Sequence, residues 1–187
     1  MSVLLNNVVP IVLCRLTTSV QSNGRIAMKK IQLGGHIGRG GIKGWALVDD
    51  EDYEELNKYS WCIGSGGYAI TVIKNVRTIL MHRLILNAKK GEEIDHKFGN
   101  KLDNRKSKLR FCTRAENTRN QGLSKANTTG AKGIDQLPSG RWRAKIKVGP
   151  KRIHIGVFPS KLDASRAYNN AATKYHGKFA RLNVIKR

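Results

Sequence analysis

The run Arg141-Trp142-Arg143-Ala144-Lys145-Ile146-Lys147-Val148 alternates strictly between cations and apolar side chains. Period two is the repeat of a β-strand. Trp142, Ala144, Ile146 and Val148 therefore share one face, and Arg141, Arg143, Lys145 and Lys147 the other. Gly149-Pro150 interrupts the run, and it resumes with Arg152 and His154 against Ile153, Ile155 and Val157. Such a chain is constrained to a hairpin with one dry face and one cationic face. A helix-period stripe follows that can cover the dry face: Ala164, Ala167, Tyr168, Ala171, Ala172 and Tyr175. Ser160-Lys161-Leu162-Asp163 supplies an N-cap with an acidic residue three places on, and Gly177 can end the helix. Small alanines let the helix lie close. The expected unit is a small antiparallel sheet packed on one helix.

The free, cationic face suits a duplex groove, which admits a β-ribbon. Charge over the whole chain agrees. The 187 residues hold 35 Lys+Arg and 13 Asp+Glu, a formal net charge of +22. This excess is spread along the chain and points to a polyanion, with nucleic acid the commonest. Trp142 falls on the apolar side, whereas readers of single strands show aromatics on the binding face, so double-stranded DNA is favoured over RNA. Cys14, Cys62 and Cys112 are far apart and form no C-x-x-C pair, so neither zinc nor a disulfide framework is indicated. A reducing, cytoplasmic setting and no membrane partner are expected, because no apolar run reaches the length of a span. The chain is expected to act as a monomer. Residues 1–27 carry one short apolar patch, Val8 to Leu13, without a charged segment ahead of it or a cleavage site after it. They read as a disordered extension. Gln121 to Gly130 is small and polar and reads as a linker. The expected layout is 1–27 extension, 28–120 first module, 121–130 linker and 131–187 second module.

Within the first module, the glycine-rich stretch Gly34 to Gly44 has no Gly-Lys-Ser/Thr ending and reads as a turn or strand connection rather than a phosphate loop. Asp49 to Glu55 reads as the acidic start of a helix. Tyr68–Ile73 and Val76–Leu80 read as strands, and Met81–Leu86 as a short helix. Glu93-Ile94-Asp95-His96 then ends in a polar loop, Lys97 to Lys106. Leu109–Cys112 reads as a second strand, and Thr113-Arg114-Ala115-Glu116 as a capping box opening a helix that carries Asn117. Two strands and a helix can bring Asp95, His96 and Asn117 together. Carboxylate and amide oxygens suit a hard cation such as Mg²⁺. A histidine can take a proton from water at neutral pH.

These residues resemble the HNH endonuclease family in its phage and intron homing branch. The resemblance covers about Trp45 to Asn120. Its marks are Met81-His82-Arg83-Leu84, Ile94-Asp95-His96, Gly99 to Arg105, Leu109-Arg110 and Glu116-Asn117-x-x-Asn120. It implies a ββα-metal module in which Asp95 and Asn117 hold the metal and His96 is the general base. One position departs. Lys108 stands where the family has the amide that orients the base histidine, and an ammonium cannot accept an imidazole N–H. Either Asn104 substitutes or activity is weakened or lost. The second module, Thr129 to Asn183, resembles the Apetala-two/ethylene-response-factor DNA-binding domain through Gly140 to Ala144, Arg152 to Phe158, Ala164 to Tyr168, Tyr175-His176-Gly177 and Ala180 to Asn183. That resemblance implies DNA contact through Lys132, Lys145, Lys147, Arg152 and His154, with Arg141 and Arg143 on the same cationic face. Asp135 and His154 depart from the family's contact residues, so base preference does not carry over.

The expected protein is thus an α+β chain: a ββα-metal nuclease module followed by a small antiparallel sheet on one helix. The expected function is metal-dependent, homing-type hydrolysis of duplex DNA in a bacterial or phage-infected cell. His96, Asn104 and Lys108 form the catalytic set, and Arg83, Arg110 or Arg114 grips the phosphate. The alternative is an HNH-derived protein, impaired at Lys108, that binds DNA without cutting it.

Overall fold

A computed structural model describes residues 28–34, 41–73 and 77–185. The expected extension 1–27 and most of the glycine-rich stretch lie outside them. β1 (Met28–Gly34) and β2 (Ile42–Asp49) pair antiparallel, Met28 opposite Asp49. α1 (Asp50–Leu56) follows directly, and Asp50, Glu51 and Asp52 in its first turn oppose the positive end of the helix. β3 (Cys62–Ile63), β4 (Ala69–Ile73) and β5 (Arg77–Leu80) complete a sheet of order β2-β1-β3-β4-β5. α2 (Met81–Ile85) closes it. The strand pair β1–β2 was not expected; β4, β5 and α2 lie where strands and a helix were.

Alternation builds the core of this half. Ile31 and Leu33 of β1, Ala46 and Val48 of β2, Leu56 of α1, Trp61, Ala69 of β4 and Met81 of α2 are all buried together. The Trp61 indole N–H, also buried, donates to the Leu56 carbonyl at 2.7 Å, so no polar atom is stranded there.

Next come β6 (Glu93–His96), β7 (Leu109–Cys112) and α3 (Arg114–Asn120). β6 and β7 are antiparallel, with Asp95 opposite Arg110 and His96 opposite Leu109. Thr113 caps α3 with both halves of a capping box, Glu116 N–H donating to Thr113 Oγ1 and Thr113 N–H to the Glu116 carboxylate. The loop between β6 and β7 runs back to the outer edge of β2. Leu47 N–H donates to Leu102 O, and Asn104 N–H donates to Leu47 O, both at 2.8 Å. Asp49 accepts the Lys106 N–H at 2.7 Å, and the Lys106 ammonium bridges Glu51 and Asp52. The acidic start of α1 therefore anchors the far end of that loop.

The C-terminal half holds β8 (Ile134–Gln136), β9 (Trp142–Val148), β10 (Lys151–Phe158) and α4 (Lys161–His176), with sheet order β10-β9-β8. α4 lies on the dry face. Ala144 and Ile146 pack against Ala164, Tyr168 and Ala172. Ser160 Oγ accepts from Asp163 N–H at 3.1 Å, and Gly177 ends the helix at φ +52°. Residues 121–130 form neither helix nor strand. No helix among the described residues is long and apolar enough to cross a membrane.

Gly133 marks the tightest approach of chain to helix in this half. Its φ is +70°, and a Cβ there would lie 2.2 Å from the Tyr168 ring and 2.5 Å from the Lys145 carbonyl oxygen. Overpacking against a backbone atom adds to left-handed strain. Gly133→Ala is expected to destabilise the protein by about 2–5 kcal/mol, read as a lower guanidinium midpoint.

Candidate active site

β6 presents Asp95 and His96 in succession, so their side chains leave opposite faces of the strand. His96 is buried, and its Nε2 lies 3.4 Å from the Oδ1 of Asn104, a residue with no exposed surface. The loop pinned to β2 carries Asn104 there. The imidazole also meets two aromatic neighbours. The His82 ring of α2 stands edge-on at 5.0 Å between centroids, and the Tyr68 ring lies at 5.7 Å. Tyr68 and His82 are themselves 5.3 Å apart. Burial pushes His96 below its ordinary pKa, while the Asn104 bond and the Asp95 charge pull the other way. Burial, then the His96 and Arg83 charges, push His82 down to about 4. Both shifts disfavour a charge on either of two imidazoles in contact. His82 Nδ1 and Asn104 Nδ2 are buried without hydrogen-bond partners.

On the other face, Asp95 is only 5% exposed, and its Oδ2 takes most of its hydrogen bonds. Arg110 Nε and Nη2 both donate to its Oδ2, at 2.8 and 2.5 Å. The Asn120 amide reaches both carboxylate oxygens, at 2.8 and 2.9 Å, and the His96 carbonyl at 2.9 Å. Asn117 instead donates to Glu93 Oε2 at 3.2 Å. Glu93 and Asp95 share one face of β6 and look toward α3. The contact between Asp95 and α3 thus runs through Asn120, one turn beyond Asn117. As a cation site, this face offers the Asp95 Oδ1, which accepts a single bond, and the Asn117 carbonyl oxygen. Such oxygens fit a hard cation that retains water ligands, Mg²⁺ above all. Among the described residues no group of three or more His, Cys, Asp or Glu is placed to hold a metal.

Lys108 does not approach His96 with its ammonium. Its Nζ lies 5.0 Å from the centroid of the Phe98 ring, and its carbonyl accepts the Lys97 N–H. Asn104 holds the place beside the imidazole. Of the arginines expected at phosphate, Arg83 donates to the Glu92 and Lys89 carbonyls at 2.6 and 2.7 Å, and Arg110 is spent on Asp95 and on the Lys178 carbonyl at 2.6 Å.

The cationic face of the second sheet is partly self-neutralised. Asp135 pairs with Arg143 at 2.5 Å and Lys145 at 2.8 Å. Lys147 stands opposite Arg152, and Lys145 opposite His154. Like charges set opposite each other disfavour the sheet, and Asp135 relieves one end. Arg141 donates to the Val157 carbonyl at 3.2 Å. Lys132 turns its ammonium onto the Arg119 and Gln121 carbonyls, at 2.6 and 2.7 Å, and burial holds its pKa below the usual lysine value. Lys147 and Arg152 make no ion pair among the described residues.

An uncharacterized HNH endonuclease of Acanthamoeba polyphaga mimivirus is 30% identical over 156 residues, covering 80% of this chain and 79% of that protein. The chain belongs to the HNH endonuclease family. It also carries Apetala-two/ethylene-response-factor-type sequence. An ethylene-responsive transcription factor of Medicago truncatula is 31% identical over 86 residues, 45% of this chain and 32% of its own. An AP2/ERF and B3 domain-containing protein of Oryza sativa subsp. japonica is 42% identical over 52 residues, 28% of this chain and 14% of its own. The chain spans less than a third of these two plant proteins. No family model matches the chain, and no solved structure does.

His82 and Asn120 are among the marks of the HNH resemblance but carry no assigned role in the sequence, and Tyr68 and Glu93 are assigned none either. Asn120 was findable, since it lies three residues beyond Asn117 and so on the same helix face. The contact of His82 and Tyr68 with His96 depends on the fold of the first sheet.

The depressed pKa of His82 has a consequence for stability. An unfolded histidine binds a proton near pH 6.5, whereas folded His82 does so near pH 4. Stability from this residue is therefore full above pH 6.5 and falls as pH drops toward about 4, by about 3 kcal/mol. His82→Phe is expected to flatten that part of the curve. The check is the urea midpoint of both proteins between pH 7 and 4, taken here as the ends of that window.

Proposed function

We propose that this HNH protein is a metal-dependent endonuclease, of the homing type, that hydrolyses phosphodiester bonds in double-stranded DNA. Residues 28–120 would cut, and residues 131–187 would hold the duplex, joined by the linker 121–130. The reading extends to a monomer acting in the cytoplasm of its host. One observation carries it: a buried His96 set against the Asn104 amide, directly after a buried carboxylate, in a strand–strand–helix frame.

In this reading Nε2–H of His96 donates to Asn104 Oδ1, which leaves Nδ1 as the proton acceptor. Asn104 fixes the ring, and Tyr68 and His82 exclude water from its flanks. His96 takes a proton from the water that attacks phosphorus. Asp95 and Asn117 would hold Mg²⁺, and the chemistry such an ion supplies is neutralisation of the charge developing on the phosphate and the leaving 3′ oxygen. Arg110 and Asn120 hold the Asp95 carboxylate fixed in direction. On the second sheet, Lys147, Arg152 and His154 face the duplex without an acidic partner.

A second reading, DNA binding without cutting, has one observation behind it. The Asp95 carboxylate is already closed by Arg110 and Asn120. Incubation with genomic DNA, with Mg²⁺ and with EDTA, separates the two. The nuclease reading expects fragments only with Mg²⁺, and none from His96→Ala, which still binds duplex. Intact DNA at every metal concentration, with binding retained, would favour the second reading.

Asn104→Ala is expected to slow single-turnover cleavage by about 10²–10⁴-fold, the usual contribution of a positioned general base. Duplex affinity should stay unchanged. A rate within a few-fold of the parent would remove Asn104 from the mechanism.

A further inference from the structure

A cleft of about 700 Å³ opens beside the β6–β7 pair. Lys97, Phe98 and Arg110 wall one side, and Lys178, Arg181 and Leu182 the other. It is therefore shared by the HNH part of the chain and the segment after α4. Every ionisable side chain lining it is a cation. Arg110 is spent on Asp95, and Lys97 donates to the Ser107 carbonyl at 2.8 Å. Lys178 makes no ion pair among the described residues.

Phe98 is the odd member of this lining. Two residues beyond His96, it is 67% exposed and belongs to neither core cluster. The backbone that presents it is held firmly. Gly99 N–H donates to His96 O at 2.8 Å, and Arg181 Nη1 donates to Phe98 O at 2.9 Å. The Lys108 ammonium lies over the ring at 5.0 Å. A rigidly presented aromatic among cations fits a ligand with alternating flat apolar and anionic parts. Location narrows the choice. The cleft is lined by Lys97 and Phe98, the two residues that follow His96, and by Arg110 and Asn120, the partners of Asp95, so a strand cut at this site would continue through it.

We infer that the cleft is the channel for the DNA strand being cut. The Phe98 ring packs against a base beside the scissile phosphate, as apolar wedges do at base steps. Lys108 steadies the ring, and Lys178 and Arg181 take flanking phosphates. The inference rests on the endonuclease reading above and adds a second DNA surface, separate from the face of β9 and β10.

The test uses the full chain and duplex DNA in EDTA, with affinity measured across a range of salt. Phe98→Ala should bind about 5- to 150-fold more weakly, the usual effect of losing one base–aromatic contact, with an unchanged salt slope. Lys178→Gln should lower the slope of log K against log salt by about 0.9. Both side chains are exposed, so both variants should unfold at the parent temperature. Lys147→Gln on β9 is the comparator. If it weakens binding while either cleft variant matches the parent at every salt, the channel is wrong and the endonuclease reading stands. If the parent chain does not bind duplex at all, both fall.

Discussion

The site depends on a pair of backbone hydrogen bonds. Leu47, on the outer edge of β2, donates to Leu102 and accepts from Asn104. That exchange pins the loop between β6 and β7, and only through it does an asparagine eight residues downstream come to lie against His96. An unpaired strand edge invites association with other chains; here a loop of the same chain occupies part of it. The remaining slack is taken up by charge. Asp49, Glu51 and Asp52 hold Lys106 by its N–H and its ammonium. Exposed ion pairs add little stability individually, but these fix where the loop ends.

A second dependence is electrostatic. A carboxylate as buried as Asp95 requires a partner, because an uncompensated buried charge costs several kcal/mol. Arg110 is that partner, and it sits directly opposite on β7. Arg110 is in turn held from outside. Its Nη1 donates to Lys178 O, and its guanidinium lies 3.9 Å from the centre of the Phe179 ring. A cation against an aromatic face is favourable, more so when water is excluded. The chain of contacts from α4's end to the carboxylate is thus continuous.

The parts of this fold legible in the sequence are those with strict period. β9, β10 and α4 could be read residue by residue, since alternation and the alanine stripe act locally. The Thr113 capping box and the Leu109–Cys112 strand were equally plain. β1 and β2 were not. Their buried residues, Ile31, Leu33, Ala46 and Val48, are few, and the sheet that buries them is assembled from segments far apart in sequence. Side-chain direction was the other obstacle. Lys108 is unusual by its position alone, but only the fold shows its ammonium over Phe98 rather than beside His96. Asn117 and Asn120 share a helix face, and sequence could not say which would reach Asp95.

The Arg110 sandwich bears on how such a chain can be recombined. Two-module proteins invite the idea of exchanging one module while leaving the other intact. Here the second module lends a carbonyl and a ring to the arginine that balances the first module's buried charge. A graft joined at the 121–130 segment would keep the first module's residues but not that support. A transplanted second module would have to bring its own equivalent of Lys178-Phe179, or Arg110 would face solvent and its grip on Asp95 would loosen.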